Sequence, residues 1–148
     1  MSNKPKLLFD ECIGHPLVTQ LIDVSVKFGP QEVDISHVIW LEFGGRNDDE
    51  WIPEIANENW VIITGDSGKR KKPGRGEKLP IVCAMYGVTY VTFSTAVNSC
   101  SSFHKLNVIL NHWDRLLTLK DEPRGSGFQI RQTNSGRTVL ELKTAPTS

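Results

Sequence analysis

Three aspartates of the sequence could together hold a metal ion. Asp10 follows the short apolar run at 6–9, and Asp66 follows the run at 60–65. Asp49 lies near the predicted start of a helix that comes after the second strand. Carboxylates held close together repel one another unless a cation neutralises them, and oxygen ligands alone favour Mg²⁺ or Mn²⁺ over zinc. Such a metal ion can activate water and stabilise charge on a phosphodiester, so these acids predict hydrolysis of a phosphodiester.

The predicted order of strands and helices places two of these acids at one edge of a sheet. The stretch WVIITGD, residues 60–66, carries four apolar residues without alternation, which is typical of a strand buried on both faces. Strands and helices alternate along the chain, which favours an α/β three-layer sandwich with a central, mostly parallel sheet. Ligands bind at the carboxyl ends of parallel strands, so Asp10 and Asp66 are predicted to face one crevice.

Apolar periodicity predicts the helices of this sandwich. The first is expected at 14–28, with one inward face made of Leu17, Leu21, Val24 and Phe28. The second spans 48–59, and its regular part is expected to begin no earlier than Glu50 because Pro53 lacks a backbone N–H. A third is expected at 79–86. The clearest helix carries a single apolar stripe of Phe103, Leu106, Leu110, Trp113 and Leu117.

The remaining strands are predicted from alternation. A second strand is expected around Val33 and Ile35, with an apolar continuation as far as Phe43, and a fourth at 88–93. The stretch FQIRQTNSGRTVLEL alternates on both sides of Asn-Ser-Gly, which is typical of a β-hairpin. We therefore expect a single domain over residues 1–148, with residues 125–143 as a C-terminal hairpin appendage.

Composition and charge exclude several classes of protein. The chain has 148 residues and a formal net charge of zero, so its overall charge predicts no polyanionic partner. Its apolar runs are too short for a membrane span or a signal peptide. The three cysteines lie far apart, which favours reduced thiols in a cytoplasmic protein over disulfides or a zinc site. No P-loop or GxGxxG follows a predicted strand, which disfavours a phosphatase-like or nucleotide-binding protein.

A basic loop follows Asp66 directly. Its cationic residues are Lys69, Arg70, Lys71, Lys72, Arg75 and Lys78, and glycine and proline interrupt them. Loops of this composition are often only exposed connections between elements. Beside a metal site, however, the positive charge would suit a nucleic-acid backbone, so the loop is predicted to bind substrate.

The run LLFDE and the later stretch DDEWIPEIANENWVIITGD resemble the PIN-like domains, especially the small PIN-like toxins of bacterial toxin–antitoxin pairs. The resemblance covers roughly the first two thirds of the chain. It implies a ribonuclease that depends on Mg²⁺ or Mn²⁺ and uses Asp10, Asp49 and Asp66 as catalytic metal ligands. Asp48 competes with Asp49 for the same match.

The resemblance also implies partners. These are RNA, with DNA as the alternative, and a cognate antitoxin protein, and no membrane is involved. Thr64 and Ser67 are expected to support the metal ligands or to position substrate. Many relatives carry a further acid soon after the last one, where this chain has Ser67, Gly68 and Lys69, so the number of metal ions stays open. A homodimer stays open as well.

Each acid also has a purely structural interpretation. An aspartate after a strand is most often a turn or capping residue, and Asp49 alone could cap its helix. The spacing of Asp10, Asp49 and Asp66 together favours a functional site. The rival hypothesis is a non-catalytic PIN-like module that binds nucleic acid or a partner protein through the basic loop.

Overall fold

The computed structural model describes residues 4–65 and 78–146, which form a six-stranded sheet with helices on both faces. The strands are β1 (Lys6–Phe9), β2 (Asp34–His37), β3 (Val61–Thr64), β4 (Tyr90–Phe93), β5 (Gly127–Gln132) and β6 (Thr138–Thr144). The helices are α1 (His15–Phe28), α2 (Asp48–Ile55), α3 (Leu79–Tyr86), α4 (Thr95–Asn98), α5 (Ser102–Asn111) and α6 (Trp113–Thr118), and a 3-10 turn follows at Leu119–Asp121. The predicted α/β three-layer sandwich is confirmed. Within the described ranges, no helix is long and apolar enough to cross a membrane.

The order of the strands reverses at β1. The sheet runs β2-β1-β3-β4-β5-β6, and its neighbours are parallel except for the β5–β6 pair. The chain therefore passes from β1 to β2 on one side and then returns to β3 on the other side of β1. In open α/β sheets, ligands bind outside the carboxyl ends of the strands at such a reversal. Here those ends are Phe9 and Thr64.

The residues of β3 alternate between two apolar cores, one on each face of the sheet. Val61 and Ile63 pack in the first core, with α1, α4, α5 and α6, whereas Ile62 packs in the second, with α2 and α3. All four residues of β3 are buried, which confirms the doubly buried strand predicted from WVIITGD. Because a slip of one residue would exchange the two cores, this burial fixes the register of β3 against β1.

Two aromatic residues that were predicted to face the core are exposed instead. Phe28 is 80% exposed and Phe103 is 79% exposed. A helix of 14 residues such as α1 extends about 21 Å, whereas a strand of 4 residues covers about 13 Å, so the last turn of α1 reaches beyond the sheet. Phe103 lies in the first turn of α5, before the part of that helix that is buried. The single stripe predicted over 103–117 is also divided, because α5 ends and α6 begins at His112.

The apolar run from Val38 to Phe43 does not continue β2 as predicted. Val38 N–H donates to Phe9 O, but the chain then turns, and Phe43 N–H donates back to Val38 O. Glu42 has a positive φ of 65° in this turn. Val38, Leu41 and Phe43 therefore cover the second core from a loop, whereas Ile39 and Trp40 are exposed.

Helix α2 is shorter and begins earlier than predicted. It starts at Asp48, two residues before Glu50, and ends at Ile55 instead of Asn59. Asn59 has a φ of 63°, which is incompatible with a right-handed helix. Pro53 lies inside the helix. Packing of the apolar face of α2 against the second core outweighs the hydrogen bond that this proline cannot make.

The predicted C-terminal hairpin is confirmed as β5 and β6, which pair antiparallel. β5 also pairs in parallel with β4, so the hairpin continues the central sheet. Phe128 and Ile130 of β5 belong to the first core. The hairpin therefore contributes to the same folded unit as the strands that precede it.

Gly127, the first residue of β5, has no room for a side chain. A Cβ there would lie 2.3 Å from Tyr90 Oη and 2.4 Å from Tyr90 Cζ. Gly127→Ala is therefore expected to lower the free energy of unfolding by about 1–3 kcal/mol, because the core must shift to admit the methyl group. Urea denaturation measures this loss. Gly14→Ala is the control, since its Cβ would meet only Pro16 Cδ, at 3.5 Å. Equal losses in the two variants would contradict this account of the β4–β5 contact.

Candidate active site

Asp10, the first residue after β1, lies where the strand order reverses. Its backbone N–H donates to Ile63 O at 3.0 Å, and its Oδ2 accepts a hydrogen bond from Thr64 Oγ1 at 3.0 Å. Thr64 is the last residue of β3 and is fully buried. The carboxyl ends of β1 and β3 are thus joined through the backbone and through these two side chains.

Cys12 extends this connection. Cys12 as a whole is exposed, but its sulfur atom lies 2.9 Å from Thr64 Oγ1 and accepts a hydrogen bond from Gly65 N–H at 3.0 Å. The thiol proton has two acceptors, Thr64 Oγ1 and, at 3.5 Å, Asp10 Oδ2. Because Thr64 donates to Asp10, the shorter thiol contact runs from Cys12 to Thr64. Cys12 therefore donates to Thr64, and Thr64 in turn donates to the Asp10 carboxylate.

The charge on Asp10 is only partly stabilised by the protein. Burial raises the pKa of its carboxyl group above the ordinary value, and the negative charge of Glu11 adds to this rise. Hydrogen bonds from Glu11 N–H, Thr64 and Cys12 lower the pKa but do not cancel the effect of burial. A cation close to this carboxylate would therefore be favoured electrostatically.

The two acids that begin α2 occupy different environments. Asp49 is exposed, whereas Asp48 is half-buried and accepts a hydrogen bond from Trp51 Nε1 at 3.1 Å. Burial raises the pKa of the Cys83 thiol well above its ordinary value, and the charges of Asp48 and Asp10 raise it further. Asp48 and Asp10 thus both lie near enough to Cys83 to raise the pKa of its thiol. Asp48 is therefore the acid of α2 whose position the structure relates to Asp10.

The other predicted site residues lie outside the described ranges. They are Asp66, Ser67, Lys69, Arg70, Lys71, Lys72 and Arg75. Gly65 is the last described residue of the TGD stretch. In residues 4–65 and 78–146, no three histidine, cysteine, aspartate or glutamate side chains are grouped to hold a metal ion. The predicted trio of Asp10, Asp49 and Asp66 thus remains a prediction.

His37 is fully buried at the end of β2, but both of its ring nitrogens have structural roles. Nδ1 accepts a hydrogen bond from Ile39 N–H at 3.1 Å. Nε2 lies 2.7 Å from Ile13 O and must carry the proton that it donates to this carbonyl. The imidazole therefore ties the end of β2 to the loop after β1 and is not a candidate metal ligand.

Sequence reasoning missed two residues that shape the site. Cys12 supports Thr64, and the Glu11 carboxylate accepts a hydrogen bond from Gly45 N–H, which fixes the loop before α2. Neither residue belongs to a periodic pattern. The only sequence feature that could have indicated them is that both are polar and lie within two positions of Asp10.

The oxygen ligands that Asp10 and Asp48 provide would fit a hard divalent cation. The Asp10 and Asp48 carboxylates offer oxygen atoms, which suit Mg²⁺ or Mn²⁺. Burial of Asp10 disfavours its charged form in the metal-free protein, and a cation would reverse that effect. The residues at the strand-order reversal are thus compatible with the cofactor predicted from the sequence.

The environment of Cys12 predicts a thiol of low reactivity. Burial of the sulfur, together with the charge of Asp10, raises the pKa of Cys12 to about 11. Because the thiolate is the reactive form, alkylation by iodoacetamide at neutral pH should be on the order of 100-fold slower than for free cysteine. Mass spectrometry after timed alkylation over a range of pH measures the rate at Cys12. Alkylation in the native protein as fast as in urea-unfolded protein would show that the sulfur lacks these contacts.

Comparison with known proteins points to the same part of the chain. A family model described as a PIN like domain matches residues 5–77, which include Asp10, both acids of α2 and Asp66. The uncharacterised protein y4eN of Sinorhizobium fredii (strain NBRC 101917 / NGR234) is 34% identical over 73 residues, which cover 47% of this chain and 65% of that relative. No solved structure matches the chain significantly. Residues 5–77, just under half of the chain, therefore match the PIN-like domain family.

Proposed function

We propose that this chain is a nuclease that requires Mg²⁺ or Mn²⁺ and cleaves RNA. The observation that carries the proposal is the Asp10 carboxylate, whose pKa is raised by burial and which lies at the strand-order reversal of a PIN-like domain. PIN-like domains are generally nucleases, and they usually use divalent metals. The preference for RNA over DNA rests on the resemblance of the sequence to toxin ribonucleases.

The cation would be held by Asp10, by Asp66 and by one acid of α2. The sequence assigns Asp49 to that third position, and the placement of the side chains favours Asp48. A bound Mg²⁺ or Mn²⁺ would polarise the scissile phosphate and make a nearby water more acidic. The three carboxylates would orient the reaction by fixing where the phosphate can lie.

The residues around Asp10 would hold its carboxylate ready for this role. Thr64 donates to Oδ2, Cys12 donates to Thr64, and the Gly65 N–H donates to the Cys12 sulfur. A ligand whose orientation is fixed by hydrogen bonds needs little reorganisation when the cation arrives. Ser67 is proposed to position substrate beside this group.

The basic loop is proposed to hold the RNA backbone. Its residues Lys69, Arg70, Lys71, Lys72 and Arg75 follow Asp66 within ten positions of the sequence. Contacts of this kind add affinity that is independent of base sequence and sensitive to salt. The loop would therefore contribute to binding and not to the chemical step.

The proposal includes an antitoxin partner, which the resemblance of the sequence to PIN-like toxins indicates. Such a partner would need to block the crevice at Asp10. An arginine side chain could do so, since its guanidinium forms paired hydrogen bonds with carboxylates.

Asp10→Asn is expected to lower the rate of metal-dependent RNA cleavage on the order of 100-fold or more, because a neutral amide is a poorer cation ligand than a carboxylate. Cleavage of a labelled RNA oligonucleotide with Mn²⁺, and with EDTA in its place, measures this effect. Asp23→Asn is the matched control, since Asp23 is an exposed acid on α1 that pairs with Lys27. Cleavage by Asp10→Asn at the parent rate would overturn the proposed function.

The same substitution has a predictable effect on stability without metal. The folded protein holds a proton on Asp10 more tightly than the unfolded chain does, because its pKa is raised. The stability of the parent therefore falls as the pH rises from the ordinary pKa through the raised one, and Asp10→Asn escapes this loss. The melting temperature of the variant in EDTA should equal or exceed that of the parent above this window. An advantage that shrinks as the pH rises would contradict the assignment.

Asp48→Asn and Asp49→Asn form a matched pair that identifies the acid of α2. The half-buried position of Asp48 predicts that Asp48→Asn lowers cleavage strongly and that Asp49→Asn does so weakly. In Asp48→Asn the amide oxygen of the new side chain can still accept the hydrogen bond from Trp51, so the helix should remain intact. The opposite ranking of the two cleavage rates would support the assignment of Asp49 made from the sequence.

A further inference from the structure

Strand β6 lies at one edge of the sheet and is the longer of the two edge strands. It has 7 residues, whereas β2 at the opposite edge has 4. Among the described residues, only those of β5 pair with it. An edge strand presents a row of backbone N–H and C=O groups with which another chain can pair. β6 also lies outside residues 5–77, the part of the chain that matches the PIN-like family.

Two hydrogen bonds indicate which backbone groups of β6 point away from β5. Thr133 N–H donates to Arg137 O at 2.6 Å, so these two residues begin the ladder as a hydrogen-bonded pair. Ser94 N–H donates to Ile130 O at 2.9 Å, so the backbone of Ile130 points to β4 and not to its partner Leu140. Because bonded and non-bonded pairs alternate along an antiparallel ladder, every second residue of β6 has its backbone groups turned outward. These residues are Thr138, Leu140 and Leu142.

The outward-pointing residues of β6 suit pairing with the same strand of a second copy. Antiparallel pairing about a two-fold axis at Leu140 would bring all three into hydrogen-bonding positions, with Thr138 opposite Leu142 of the second copy. Leu142 is 56% exposed in the single chain, although Phe128, opposite it in β5, is buried in the first core. The pairing would place Leu142 next to Leu140 of the second copy, which removes apolar surface from water.

Charge complementarity favours the same register. Glu141 forms an ion pair with Arg131 of β5, and Arg137, four residues before Glu141 and on the same face, is exposed. In the pairing centred on Leu140, Glu141 lies opposite Val139 of the second copy and diagonal to its Arg137, within reach of a long side chain. The symmetry creates this Glu–Arg pair on both sides of the axis. An axis at Glu141 would instead place two Glu141 carboxylates opposite each other, which is unfavourable.

The paired stretch ends at Leu142. The register of β6 against β5 shifts between Gly127 and Phe128, which leaves Lys143 without a residue opposite it in β5. A bulge of this kind bends the strand and increases its twist, so the edge turns away from a straight partner after residue 142. The cation of Lys143 is therefore not held opposite Arg137 of the second copy.

We propose that β6 pairs antiparallel with β6 of a second copy of this chain, in the register centred on Leu140, so that two sheets join into one. The two-fold axis reverses the strand direction of the second copy, so the two candidate active sites face opposite ends of the joined sheet. β4 and β5 separate β6 from β3. The dimer therefore leaves the carboxyl ends of β1 and β3 uncovered, and the inference does not depend on the proposed nuclease activity.

Sedimentation equilibrium of the purified chain at about 1–200 µM measures self-association, and the parent is expected to form a dimer in this range. Arg137→Glu replaces both Glu–Arg attractions by repulsions and should raise the dissociation constant about tenfold or more. Lys27→Glu is the matched control, because it makes the same change of charge on α1, which packs against β2 at the opposite edge of the sheet. Leu142→Pro removes an outward N–H but no hydrogen bond to β5, and it should weaken the dimer as well.

Three outcomes would overturn the inference. A parent chain that stays monomeric at the highest concentration has no such interface. A dimer that is as tight in Arg137→Glu as in the parent uses another surface or another register. Equal weakening by Arg137→Glu and Lys27→Glu would show that net charge, and not a contact at β6, controls association. The melting temperature of each variant shows whether it is folded, and Arg137→Glu decides alone if Leu142→Pro is not.

Discussion

The candidate site depends on one hydrogen bond, which Thr64 Oγ1 donates to Asp10 Oδ2 across the carboxyl ends of β1 and β3. Neither side chain could reach the other if the two strands were displaced by a residue. The register pairs Phe9 with Ile63, and it is fixed because β1 and β3 bury alternate residues in two different cores. The apolar sandwich thus determines the geometry of its polar edge.

The same packing sets the electrostatics of that edge. Asp10 follows a strand whose last three residues are fully buried, so its carboxylate is partly removed from water and its pKa rises. The hydrogen bonds from Thr64 and Cys12 orient the carboxylate but do not fully compensate its charge. The Asp10 carboxylate is thus held in one orientation while part of its charge stays uncompensated. We expect a cation here for that reason.

Much of the fold could be predicted from local patterns, and the failures have tertiary causes. The apolar run of β3 and the stop of α3 at Gly87, with a φ of 66°, follow from residue types alone. Phe28 satisfies helical periodicity, but its exposure depends on the length of α1 relative to the sheet. Asp48 and Asp49 are adjacent and differ by about 100° around the helix axis, so only the packing of α2 separates them. Cys12 has no sequence pattern, because its role arises from a contact with Thr64, which lies 52 positions later.

The central claim is that Asp10 is a ligand of a catalytic divalent cation. The most direct measurement is a crystal structure grown with MnCl₂, in which the anomalous signal of manganese locates the ion independently of the protein atoms. The account predicts an anomalous peak within coordinating distance of the Asp10 carboxylate and of one acid of α2. A structure saturated with Mn²⁺ that shows no peak at Asp10, or in which a lysine or arginine side chain neutralises Asp10 instead, would contradict it.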